Sequence, residues 1–146
     1  MADPVKSDHP IQRFVFCLSE MPSVEIRSRL SDLIDILAAS RKWLIAPPVV
    51  AEMFDKEDPE ETAMETVGGV LQLYSSNPPN HLPTEIDRQQ LGEVEIIVAS
   101  LCDFSSRSKV DFEFYLDHQR VGEITAGRPD PILQAGLLDA WRESLT

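Results

Sequence analysis

Any chemistry in this chain has to come from three histidines, two cysteines and a run of acids. His9, His81 and His118 fall in a polar N-terminal stretch, a proline-rich loop and a turn. None stands at H-x-x-x-H or E-x-x-H spacing from a second ligand, so no metal site and no cofactor are expected. Cys17 and Cys102 sit in the apolar runs F-V-F-C-L and A-S-L-C-D-F. Such settings suit buried structural thiols, whereas a nucleophilic thiolate needs an accessible, electropositive one. Spacing alone leaves open a Cys–His pair that meets in space. No C-x-x-C, G-x-S-x-G, G-x-G-x-x-G or G-K-[ST] motif is present. The expectation is a protein that is not an enzyme.

The acids are concentrated in Glu52–Glu65, E-M-F-D-K-E-D-P-E-E-T-A-M-E. Seven of these residues are acidic (Glu52, Asp55, Glu57, Asp58, Glu60, Glu61, Glu65) and one, Lys56, is basic. A calcium loop needs ligands at alternate positions and glycine at the sixth, and this run has neither. Asp58-Pro59-Glu60-Glu61 has the form of a helix start, with a cap, a proline at the first helical position and an acid at N3. The dipole of that helix would account for Asp58, Glu60 and Glu61. Glu52, Asp55 and Glu57 precede it and repel one another, which points to a cationic partner. The whole chain carries a net charge of −12 with a pI near 4.5. Such a surface repels phosphate backbones and anionic lipid, so nucleic acid and membrane are poor partners, and a basic protein is a good one.

The elements that must position these residues follow from periodicity. Positions 1–8 read as a flexible tail and 9–146 as one globular domain, long enough to bury roughly 70% of its unfolded surface. Ile11, Phe14, Val15 and Leu18 mark a helix face from Pro10 to about Glu20, while Phe14, Phe16 and Leu18 support a competing strand. Ser23 caps a second helix reaching Lys42, striped by Ile26, Leu30, Leu33, Ile34 and Leu37, with Arg41 and Lys42 in its last turn. Trp43–Phe54 contains Pro47-Pro48 and reads as extended chain crossing the core. A third helix from Asp58 would bury Met64, Val67, Leu71 and Tyr74, with Gly68-Gly69 admitting a close backbone neighbour at about 1 kcal/mol per glycine.

Asn77–Pro83 is a loop. Thr84 and Asp87 form a second capping box, opening a helix from Glu85 to about Phe104 along Ile86, Gln90, Val94, Ile97, Leu101 and Phe104. The β-branched residues Val94, Ile96, Ile97 and Val98 argue for a strand, but Leu101 continues the helical spacing and the N-terminal caps are good, so the helix is preferred. Ser105–Ser108 reads as a loop. Val110–Leu116 alternates as a strand with Phe112, Phe114 and Leu116 inward, and Arg120–Thr125 returns as its hairpin partner. Asp111, Glu113 and Tyr115 then face outward. A three-residue turn sets Glu113 opposite Glu123, and a two-residue turn sets it opposite Gly122. Open hairpin edges would accept a partner strand. Asp130-Pro131 starts a final helix carrying Leu133, Leu137, Leu138, Trp141 and Leu145. The expected fold is α+β: mostly helical, about five helices, one C-terminal hairpin and a terminal helix. The candidate partner-binding residues are Glu52, Asp55, Glu57, Asp58, Glu60, Glu61, Asp111, Glu113 and Glu123.

The D-K-E-D-P-E-E run, and the V-D-F-E-F-Y-L-D-H-Q-R-V-G-E-I hairpin followed by G-L-L-D-A-W, resemble small acidic bacterial immunity proteins of contact-dependent and polymorphic toxin systems. The resemblance implies a cytoplasmic inhibitor, monomeric when free, that neutralises a cognate basic toxin domain such as a nuclease. Immunity proteins differ widely in fold, so it implies a role and assigns no residue. A second expectation is a structural or adaptor subunit that assembles through Trp43–Phe54 or a hairpin edge.

Overall fold

The computed structural model describes residues 10–20, 22–54, 65–75, 82–117 and 119–145. In these the chain forms a six-stranded antiparallel sheet in the order β2-β3-β1-β4-β5-β6. The strands are β1 (Ile11–Leu18), β2 (Val49–Phe54), β3 (Glu65–Tyr74), β4 (Phe112–Leu116), β5 (Gln119–Thr125) and β6 (Arg128–Pro129). Two long helices, α1 (Val24–Ala39) and α2 (Thr84–Ser108), and a C-terminal helical segment complete it. The mostly helical, five-helix expectation is therefore wrong. Two of its helices are strands β1 and β3, and the hairpin is part of a larger sheet.

The physical reason is a shared pattern. Ile11, Phe14, Val15 and Leu18 fit a helical stripe, but Phe16 falls off it. As a strand, Phe14, Phe16 and Leu18 all point into the core, while Val15 turns half-exposed to the other face. Strand β3 likewise sends Val67, Gly69, Leu71 and Leu73 to one side, each buried. Its glycines do not tolerate a helical excuse: a Cβ at Gly68 would lie 1.8 Å from the carbonyl oxygen of Phe16. The close backbone neighbour expected at this pair is strand β1, with Phe16 opposite Gly69 and Cys17 opposite Gly68.

Helix α1 starts as its sequence predicts, with Ser23 Oγ accepting from the Ile26 amide at 3.2 Å. It ends at Ala39, before Arg41 and Lys42. The Arg41 guanidinium lies over the Trp43 ring instead, 5.4 Å from its centroid. Trp43 is buried and its indole N–H donates to the Leu37 and Ala38 carbonyls. The segment after it does not cross the core but becomes the edge strand β2. Helix α2 keeps the predicted face of Gln90, Val94, Ile97, Leu101 and Phe104, and the helix wins over the strand. It runs on through Ser105–Ser108, so the expected loop is its last turn, and it has no side-chain cap at its start. Asp87 accepts instead from the Trp141 indole at 2.9 Å.

The core lies between the helices and one face of the sheet. Phe14, Phe16, Phe112 and Phe114 are fully buried against Leu30, Ile34, Ile97 and Leu101. Each such aromatic contributes roughly 1.5–3 kcal/mol. The C-terminal segment Ile132–Asp139 is wound as a π-helix before a short α3 (Ala140–Ser144). Its wider turn sets Leu133 and Leu138, five apart, on one buried side. Gly122, at φ +147°, makes room for Leu133, whose Cβ would lie 2.4 Å from a Cβ at that position.

Candidate partner-binding site at the acidic end of the sheet

Strand register places the candidate acids. Ala51, Gly68, Cys17, Glu113 and Glu123 form one row across five strands. Odd positions of β1 share the outward side with Glu113 and Tyr115, opposite the face that the helices cover. The hairpin turn joins Leu116 to Gln119, which is a two-residue connection. A bulge between Arg120 and Gly122 then shifts the register, so Glu113 sits across from Glu123 rather than from Gly122. Turn length alone does not set the pairing, because the bulge uncouples the two. The hairpin is also not an isolated ribbon, because β4 pairs with β1 and β5 with β6.

Two carboxylates facing across an antiparallel pair repel one another. The Arg120 guanidinium meets Glu123 at 2.9 Å and offsets part of this. Glu113 accepts from the Tyr115 hydroxyl at 3.1 Å. Burial pushes the Tyr115 hydroxyl up to about 12, with the Glu113 charge adding to the effect. Burial, with Glu113 again second, pushes the Cys17 thiol up to about 11. Both neighbours are thus held neutral, and Cys17 is a poor nucleophile. Burial also raises the thiol of Cys102.

Asp111 lies one step beyond the row. Its carboxylate accepts from the Ala126 amide at 3.3 Å, and its carbonyl accepts from Ser19 at 3.0 Å. It lines two shallow depressions of about 300 and 380 Å³ that flank Lys109. Lys109 ends α2 in a left-handed conformation. Phe54 and Glu65, the residues on either side of 55–64, are cross-strand partners at this same end of the sheet. Glu52 is opposite Val67 in β2. Asp55, Glu57, Asp58, Glu60 and Glu61, with the helix start proposed at Asp58, lie outside the described residues, as do His9, His81 and His118.

Two buried polar residues, Gln90 on the expected helix face and Glu93 beside it, make bonds that the sequence did not assign. Gln90 accepts from the Tyr74 amide at 2.6 Å and donates to its carbonyl at 3.3 Å. It acts as a stand-in strand where β3 outruns β2. One turn on, Glu93 accepts from the Leu44 amide at 2.8 Å, fixing the approach to β2. Burial raises the Glu93 carboxyl, with the Leu44 bond and the Arg41 charge opposing it. The available signal was their place on or beside an apolar helix stripe.

Among the described residues no three His, Cys, Asp or Glu side chains gather as a metal would require. No described helix is long and apolar enough to cross a membrane. No family model, curated protein or solved structure matches the chain.

Proposed function

We propose that this chain is a non-catalytic binding protein that holds a basic protein partner against the acid-bearing end of its sheet, as an inhibitor of a toxin domain would. The observation that carries this is the direct opposition of Glu113 and Glu123 on the sheet face that no described helix covers. Such a pair costs stability, and a cationic side chain between the two would reverse the sign of its contribution. The register adds that Phe54 and Glu65, which bracket the most acidic sequence, close the same end. Negative potential of this kind speeds capture of a basic partner, and desolvated aromatic contacts would lengthen its residence.

The test is association of the full chain with whatever basic protein it retains from source cells at low salt. Reversal of Glu57, Asp58, Glu60 and Glu61, or of Glu113 with Glu123, is expected to slow association roughly tenfold or more and to flatten its salt dependence. Melting temperature should change little. Unaltered association rates in both reversed variants would remove the acidic end from the mechanism.

A further inference from the structure

The sheet ends in two edges, and on one of them the main chain from Glu123 to Thr125 is bonded within the protein. Beyond β5, the two-residue β6 contains Pro129, which has no amide hydrogen to offer. The turn before it is tied down by Ser105, whose hydroxyl accepts from the Gly127 amide at 3.0 Å. Asp130 accepts from the Glu123 amide at 3.3 Å. Where β3 overhangs its neighbour, Gln90 fills both hydrogen-bonding positions of Tyr74. Among the described residues strand β2 has none of these devices. It pairs with β3 on one side and with no described strand on the other.

Strand β2 is also firmly presented. Trp43 is buried and Leu44 is held by Glu93, so the chain enters the strand from a fixed point. Val49 and Val50, 57% and 38% exposed, flank the edge on alternate sides. An added strand would find an apolar contact on each face and a ladder of main-chain groups between them.

We infer that β2 is the seat of an extended, lysine- or arginine-bearing segment of the partner, which joins the sheet as a seventh strand. The inference rests on the binding function proposed above and names the surface and the form of the ligand. Charge selects the cationic segment. The molecule carries −12 overall, and the acids from Asp55 to Glu61 follow directly after Phe54 in the sequence. Glu52 lies within β2 and Glu65 pairs with Phe54 at its end, so a strand laid along β2 passes two acidic positions. The same charge opposes a second copy of this protein in that position.

An octapeptide of alternating lysine and valine is a suitable probe, together with the same peptide N-methylated at every second residue. The methyl groups remove one edge of donors and keep the charge, and the protein itself is unaltered. Amide exchange of the full chain would be followed with each peptide present. The expected result is slowing of alternate β2 amides by about tenfold or more with the plain peptide and none with the methylated one. Binding of both peptides without protection in β2 overturns the added strand and leaves the acidic surface standing. Binding of neither peptide at low salt contradicts both. Protection of β2 that rises with protein concentration alone assigns the edge to a second copy and overturns the partner segment.

Discussion

The β6 edge and the β2 edge solve the same problem in opposite ways. An exposed strand presents unpaired amides and carbonyls, and most proteins blunt it. At β6 the strand is cut to two residues, carries a proline and is followed by the Asp130 cap, which accepts from Leu133 at 2.8 Å. At β2 the strand runs six residues with valines exposed. The protein closes β3 with Gln90 and anchors the approach to β2 with Glu93, yet leaves the outer side of β2 without a described partner. The difference is that, among the described residues, the devices that close an edge are applied at β6 and not at β2.

The comparison breaks most severely if β2 and β3 separate from the rest. Gly68→Ala puts a methyl group against the Phe16 carbonyl and should cost about 3 kcal/mol or more. Chemical denaturation would measure it, and exchange should rise first in β2 and β3 while the hairpin holds. Gln90→Leu keeps the volume but removes the two Gln90 bonds to the Tyr74 amide and carbonyl, a loss of about 1–2 kcal/mol. The expected readout is fraying at the Tyr74 end of β3 with β5 and β6 unchanged.

Much of this was within reach of the sequence, and the part that was not has a common cause. Helix α1 was legible because Ser23 and the Leu30, Ile34, Leu37 stripe are local signals. The hairpin was legible because Val110–Leu116 alternates without competing spacing. Strand β1 is one of two stated readings, and β3 reads as a helix, since Val67, Leu71 and Tyr74 also fit a helix and only its partners decide. Their pairing is with each other, 51 to 63 residues apart in the chain, and no local rule encodes it. The Glu113–Glu123 opposition was one of two stated registers. A bulge that no turn rule anticipates selected it.

A pH titration sharpens the anchoring of β2. The folded Glu93 carboxyl is raised above its unfolded value, so the stability it contributes is full below the unfolded value near 4.5 and is lost as pH rises through the folded value. Glu93→Gln keeps an acceptor for Leu44 and removes the titration. Wild type should therefore gain stability relative to Glu93→Gln as pH falls from 7, seen by thermal melts of the two proteins side by side. The smallest effect is at the acidic row. Glu113→Gln relieves the repulsion with Glu123 and should stabilise by about 0.5 kcal/mol. Spectrophotometric titration should also find the Tyr115 hydroxyl shifted down from about 12.

The central claim is an open β2 edge, and amide exchange of the free chain, residue by residue, reaches it most directly. Along Val49–Phe54 the amides bonded to β3 should be protected and the alternate ones should exchange nearly as fast as an unstructured peptide, while in β5 the outward Glu123 amide, bonded to Asp130, is protected as well. Uniform protection along β2 in the dilute, unbound protein would mean that its outer side is already occupied, and would contradict the account.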